Sequence, residues 1–237
     1  MQILKNQFWA FIPARAGSKK IKNKNLIKLK GKPLIAHSII AAKKNKYIKN
    51  IIFSSDSKKY IDVAKKYGCK NFDLRPKKYS GDKTTDYEVF KYFLYKLKEE
   101  NVSLPEFIVH LRPTTPLRKN IYLNLAIKKF LKLRTKYTAL RSVTPMSNPS
   151  YKTFRIKSKK LCAISQVDYD LDKYNRPKEC FENTYLPNGY IDIFHVKNIF
   201  NGFLHGKKVL PFIVKDLNSD IDDWKDYISI KKIINDK

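Results

Sequence analysis

Phe8-Trp9-Ala10-Phe11-Ile12-Pro13-Ala14-Arg15-Ala16-Gly17-Ser18-Lys19-Lys20-Ile21-Lys22-Asn23-Lys24-Asn25-Leu26, followed by Gly31-Lys32-Pro33-Leu34-Ile35, decides the fold. Phe8 to Ile12 is a short apolar run, the pattern of a buried strand. Pro13 breaks it. The loop that follows carries Arg15, Gly17, Ser18, Lys19, Lys22 and Lys24. Pro33 then opens an apolar-periodic helix, because its fixed φ suits a first helical turn. Strand, cationic loop and helix in that order offer backbone N–H and ammonium groups to phosphate. The loop is not a Walker A sequence, since Lys24-Asn25-Leu26 stands where Gly-Lys-Ser/Thr would be needed. It also lacks the three spaced glycines of a dinucleotide fingerprint.

Outward from this unit, apolar runs alternate with helical patterns. The spacing predicts helix Pro33–Lys46, strand Asn50–Ser54, helix Lys58–Tyr67 stopped by Gly68, and a weak strand Lys70–Leu74. A turn-rich loop from Arg75 leads to helix Asp86–Glu100, strand Phe107–Leu111, helix Ile121–Lys132 and strand Thr138–Val143. Repeated strand–helix units imply one α/β fold, a doubly wound and mostly parallel sheet, with residues 1–237 as a single domain. Ligands of such sheets bind outside the strand carboxyl ends. Arg15, Ser55, Asp56, Arg75 and Arg112 all follow predicted strands and are expected to face one crevice. From about 144 to 187 the pattern breaks into short β-like pieces, Tyr151–Ile156 and Cys162–Gln166, which reads as an inserted arm of the kind that pairs across a dimer. Strands Pro187–Phe194 and Val209–Val214 and helix Asp222–Asn235 complete the chain.

Composition narrows the function classes. A hydrophobic content of 43% supports a sizeable core. No run of about 18 apolar residues predicts a membrane span, and Met1–Gln7 lacks the apolar core of a signal peptide, so the expected location is the cytoplasm. Cys69, Cys162 and Cys180 are too widely spaced for a metal knuckle or a disulfide framework. The net charge of +29 raises nucleic-acid binding as one reading. The lysines are spread over the whole chain without a basic tail or stripe, which argues against it; a positive field also draws polyanionic small molecules. His37 in a helix and His110 in a strand read as packing residues, and Asp168, Asp170 and Asp172 as a solvated loop.

Ile12-Pro-Ala-Arg-Ala-Gly-Ser-Lys19, Lys24-Asn25-Leu26 and Gly31-Lys32-Pro33-Leu34 together resemble the opening motif of the CMP-sialic acid synthetase family of sugar-activating nucleotidyltransferases. Arg112-Pro-Thr-Thr-Pro-Leu-Arg118 resembles the motif after that family's central strand, with Arg112 where glutamine is usual. In this feature, in Gly81-Asp82-Lys83-Thr84-Thr85-Asp86 and in Tyr185-Leu-Pro-Asn-Gly-Tyr190, the chain is most similar to the enzymes that activate legionaminic acid. Asp220-Ile221-Asp222 resembles the family's magnesium motif. Two carboxylates at i and i+2 of an extended segment project the same way and can share a hard cation.

The resemblance implies a homodimeric cytidylyltransferase that uses Mg²⁺, CTP and an acidic nine-carbon sugar, without nucleic acid or membrane. Arg15, Lys19 and Lys24 are then expected to hold the triphosphate. Ala14, Gly17, Ser18, Asn25, Arg75 and Thr84 are expected to seat the nucleotide. Arg112, Thr114, Arg176 and Asn188 are expected to orient the sugar, with Lys178 near them. Asp220 and Asp222 are expected to hold the metal, and Asp226 matches a downstream acid of the family. Whether Asp222 or a water on that ion takes the hydroxyl proton stays open. The eight-carbon sugar Kdo is an alternative acceptor, disfavoured because its enzymes carry an aspartate where Arg112-Pro113-Thr114 stands.

Overall fold

The structure, a computed structural model, describes residues 2–165, 168–215 and 220–235. Among the described residues, the main sheet and the helices that cover it run in the order β1 (Ile3–Pro13), α1 (Leu34–Lys43), β2 (Ile48–Ser55), α2 (Lys58–Lys66), β3 (Asn71–Leu74), α3 (Asp86–Glu99), β4 (Leu104–His110), α4 (Asn120–Leu133), β5 (Ala139–Pro145), β6 (Tyr185–His195), α5 (Val196–Phe200), β7 (Val209–Ile213) and α6 (Trp224–Asn235). The strands form one sheet in the order β7-β5-β6-β4-β1-β2-β3. All neighbours are parallel except β6, which runs antiparallel to both β4 and β5.

Side-chain alternation explains the layers. In β1, Phe8, Ala10 and Ile12 turn to one face and Trp9 and Phe11 to the other. Both faces are apolar, so both must be covered. On the first, α1, α2 and α4 supply Ile35, Ile39, Tyr60, Ala64, Leu123 and Phe130. On the second, α3 and α5 supply Phe90, Phe93, Leu94 and Ile199. Phe107 and Phe130, both fully buried, meet edge to face at 5.5 Å; burying one such ring contributes about 1.5–3 kcal/mol.

The helices start where the sequence says they should, with small shifts. Pro33 caps α1 with extended backbone and the helix begins at Leu34. Thr85 and Glu88 form a reciprocal capping box at α3. Between β5 and β6, a hairpin pairs Phe154–Lys157 with Lys160–Ala163. Its two-residue turn places Ser158 and Lys159 at φ 49° and 63°, the doubly left-handed geometry that suits hairpin twist. This turn fixes strand bounds that differ from the expected Tyr151–Ile156 and Cys162–Gln166; Gln166 lies outside the described residues.

The chain runs outward from β1 to β3, then returns to the other side of β1 at β4. This reversal opens a crevice above the carboxyl ends of β1 and β4. The loop after β4, residues 111–119, forms one wall. Arg118 organises that wall. Its guanidinium donates to the carbonyls of Tyr190, Thr115, Arg112 and Gly189 and to Ser38 Oγ, at 2.5–3.0 Å. Gly189 adopts φ +63°, and a Cβ there would stand 3.0 Å from Thr115 Oγ1, so this backbone approach requires glycine. Arg118→Ala leaves buried carbonyls unpaired and is expected to cost at least about 3 kcal/mol in urea unfolding. Arg118→Lys, with one compact ammonium, recovers only part of it.

Candidate active site

The cationic loop after β1 is shaped by its own backbone. Ala14 donates its N–H to Ser54 O, and Ala16 donates to Asp56 Oδ1 at 2.9 Å. Asn25 is buried and donates to Arg15 O at 3.1 Å. Ser55 is buried, and its Oγ accepts the Ser57 N–H. The expectation that Ser55 and Asp56 face the crevice is therefore corrected: Asp56 supports the loop from behind, and Ser55 sits inside the sheet.

A cavity of about 230 Å³ lies over the crevice. Arg15, Ser18, Lys24, Asn25, Arg75, Thr84, Arg112 and Thr114 all line it, together with Tyr79, Ser80, Gly81, Asp86 and His110. Ala14 and Gly17 flank it in the loop, and Lys19 extends into solvent beside it. Arg15, Lys19 and Lys24 each meet a carboxylate. Arg15 Nη1 lies 2.5 Å from Asp82 Oδ1, and Lys19 pairs with the other oxygen of Asp82. Lys24 Nζ lies 3.0 Å from Asp222 Oδ1, joining residues 198 positions apart. These carboxylates occupy the partners a polyphosphate would take. Arg75 is almost wholly buried; its Nε donates to Ser80 Oγ at 2.9 Å, and its Nη1 has no hydrogen-bond partner among the described residues.

The carboxyl-terminal segment docks onto the first loop. Ile221 and Ile230 share a small core with Ile21, Leu29 and Leu34. Ile221 N–H donates to Thr114 O at 2.8 Å, and Tyr227 OH donates to Lys28 O at 2.8 Å. Asp223 and Asp226 cap α6 reciprocally: Asp223 Oδ1 accepts the Asp226 N–H, and Asp226 Oδ2 accepts those of Asp222 and Asp223. Asp226 thus has a local task. Asp220 is exposed and lines a second cavity of about 700 Å³ with Thr144, Ser147, Asn148 and Asn188. Among the described residues, no three His, Cys, Asp or Glu side chains come together to hold an ion unaided. Two exposed carboxylates are an all-oxygen donor set that suits Mg²⁺ completing its shell with water and phosphate.

The residues expected to meet a sugar separate into three places. Arg112 is enclosed in a charge network. Its Nη1 and Nη2 lie 2.7 Å from Asp192 and Asp86 respectively. Thr114 lines the first cavity, whereas Asn188 lines the second and donates to Thr144 Oγ1. Arg176 and Lys178 lie exposed on the arm; Lys178 lines an arm pocket, and Arg176 accepts Lys152 Nζ through its carbonyl. Asp168 and Asp170 pair with Lys173 in the arm loop.

Sequence reasoning did not single out Asp86, Tyr79 or Ser80, and it assigned His110 to packing. His110 does pack, edge-on to Phe90 at 5.1 Å. It also floors the cavity, fully buried, with neither ring nitrogen hydrogen-bonded among the described residues. Burial, aided by the charge of Arg112, pushes its pKa down to about 3. Asp192 faces it across the β4–β6 ladder. Burial works to raise the Asp192 carboxyl, but His205 and the Arg112 guanidinium hold it well below the usual range.

This cation-lined cavity at the switch point can be set beside known proteins. The cytidylyltransferase family description matches residues 9–176. The chain belongs to the cytidylyltransferase family. Over 231 residues it is 33% identical to the N-acylneuraminate cytidylyltransferase of Escherichia coli, covering 94% of this chain and 51% of that protein. It therefore spans about half the length of that relative. Over 223 residues it is 33% identical to the CMP-N,N'-diacetyllegionaminic acid synthase of Legionella pneumophila, covering 91% of this chain and 92% of that one. A CMP:2-keto-3-deoxy-manno-octonic acid synthetase solved with CTP shares the fold, with TM-score 0.71, 13% identity, and coverage of 97% and 99%. No helix among the described residues is long and apolar enough to cross a membrane.

The buried neutral His110 gives a signed pH dependence. A histidine with a depressed folded pKa contributes stability fully above its unfolded pKa of about 6.5, and that stability is lost as pH falls toward about 3. Between pH 6.5 and pH 5, urea unfolding of the wild type is expected to lose roughly 2 kcal/mol through this group. In His110→Phe that portion of the loss should be absent.

Proposed function

We propose that the chain transfers CMP from CTP to the anomeric hydroxyl of an acidic nine-carbon sugar of the legionaminic or sialic type. The sugar oxygen forms a bond to the α-phosphorus, and the bond from that phosphorus to the pyrophosphate oxygen breaks. The observation that carries this reading is the pairing of Lys24 with Asp222. It brings the first loop's cations and the last acidic segment to one cleft.

In this reading Arg15, Lys19 and Lys24 exchange their carboxylate partners for the triphosphate and offset charge on the departing pyrophosphate. Phosphoryl transfer of this kind depends on positioning and charge neutralisation. Ala14, Gly17, Ser18 and Asn25 shape the loop around the phosphates, and Arg75 and Thr84 seat the nucleoside. Asp220 and Asp222 would hold Mg²⁺, which when bound draws charge from the phosphate oxygens. Either Asp222 or water would take the proton of the attacking hydroxyl. The sugar enters the larger cavity, where Asn188 and Asp220 lie, and meets Thr114 at the junction. Arg112 contributes through the frame, since both of its terminal nitrogens already bond carboxylates. Arg176 is available to a sugar only from the arm. Exposed Ile156, Leu161 and Ile164 on that arm suit a homodimer contact. We place the reaction in the cytoplasm, where CTP is supplied.

The test is pyrophosphate release from CTP with Mg²⁺ and a panel of legionaminic, sialic, pseudaminic and eight-carbon acids. Turnover is expected with a nine-carbon acid; release with none of them defeats the reading. Chelation with EDTA should abolish turnover and added Mg²⁺ restore it. Lys24→Ala is expected to lose about 2–4 kcal/mol of transition-state stabilisation, by analogy with a lost oxyanion donor, read as kcat/KM for CTP.

A further inference from the structure

Phosphate binding leaves one group in the smaller cavity unexplained. Asp86 lines it beside Arg15, Lys24 and Arg75, with its side chain 40% exposed. A carboxylate there opposes a polyanion. It is not needed as a cap, because Thr85 and Glu88 cap α3. Its Oδ2 accepts Arg112 Nη2 at 2.7 Å. An ionised carboxylate offers about four lone-pair sites, so acceptor capacity remains. A carboxylate already held by a guanidinium is suited to hydroxyl hydrogens rather than to a cation.

His110 is the second observation. It lies behind Asp86, with Nδ1 4.0 Å from the same Oδ2. It lines the cavity, is fully buried, and neither ring nitrogen is hydrogen-bonded among the described residues. Its neutral ring has one donor and one acceptor to offer and no charge for phosphate. An acceptor-only carboxylate backed by a neutral imidazole matches a vicinal diol. The nucleotide carries one on its ribose, and an acidic side chain on ribose hydroxyls is a recurrent solution.

We propose that Asp86 accepts hydrogen bonds from the ribose 2′- and 3′-hydroxyls of the bound nucleotide, with Arg112 and His110 positioning it, and so selects ribonucleotides over 2′-deoxyribonucleotides. This rests on the nucleotide reading of the cavity. Titration calorimetry of the full chain with CTP and with dCTP, without acceptor sugar, tests it. Wild type is expected to bind CTP about 10-fold or more tightly than dCTP, the worth of a hydrogen bond to a charged group. Asp86→Ala should weaken CTP more than dCTP, which keeps only the 3′-hydroxyl, and bring the two affinities within about threefold of each other. Asp86→Asn, nearly isosteric, should give an intermediate ratio, and thermal unfolding checks that both variants fold. His110→Phe should narrow the ratio, weakening CTP more than dCTP.

Equal wild-type affinities, or a parallel loss of both nucleotides in Asp86→Ala, overturn the proposal. An unchanged ratio in His110→Phe overturns the part given to His110. If CTP binds but no acceptor releases pyrophosphate, the transfer reading fails while the affinity ratio still decides the role of Asp86. A chain that binds neither nucleotide defeats both.

Discussion

Cations aimed at one small cavity repel each other, and much of this fold serves to hold them there. Arg15, Lys24, Arg75 and Arg112 all reach the same 230 Å³. Each is restrained by a different side chain. Asp82 in the loop before α3 holds Arg15, Asp222 before α6 holds Lys24, Ser80 holds Arg75, and Asp86 and Asp192 hold Arg112. The chain has 50 basic residues and only 21 acidic ones, yet carboxylates gather at this cleft. Paired cations of this kind are charged, oriented and close to exchangeable partners. Little reorganisation is then required when an anion arrives, which is the condition for electrostatic stabilisation of a transition state.

The frame beneath these pairs is more deeply set. Arg118 buries its charge among carbonyls and a hydroxyl rather than beside a carboxylate. A planar fork with five donors can join β6, α1 and the loop after β4 at once. Gly189 allows the approach, and Ile221 docks on Thr114 of the same loop. The wall between the two cavities is therefore tied to the interior on one side and to the carboxyl-terminal segment on the other. The arm carries exposed Phe154, Ile156, Leu161 and Ile164.

Much of this was legible in the residues. Apolar runs marked the strands to within a few positions because both faces of a covered sheet must be apolar. Arg15, Lys24, Arg75 and Arg112 were readable as crevice residues because each follows a strand, and the strand ends share one edge of a parallel sheet. Ser55 and Asp56 satisfied the same rule and were misplaced by it. Their side chains bond backbone at short range, to Ser57 and Ala16, which the rule does not weigh. Asp86 read as a helix start and His110 as core, and each description is true. Their joint position in the cavity depends on α3 lying over β4, a contact between distant parts of the chain.

The sequence by itself determined the alternation of strand and helix, the cation-rich loop after the first strand, and the acidic segment near the end. These are local properties, set by periodicity and residue chemistry over a few positions. Only the tertiary structure decided that β6 runs antiparallel, which sets Asp192 opposite His110, and that Arg112 has both terminal nitrogens engaged. Only it decided that Asp222 meets Lys24 across 198 residues. Such pairings follow from the packing of α6 on the first loop and of α3 on the sheet, where buried apolar area, not sequence distance, chooses the neighbours.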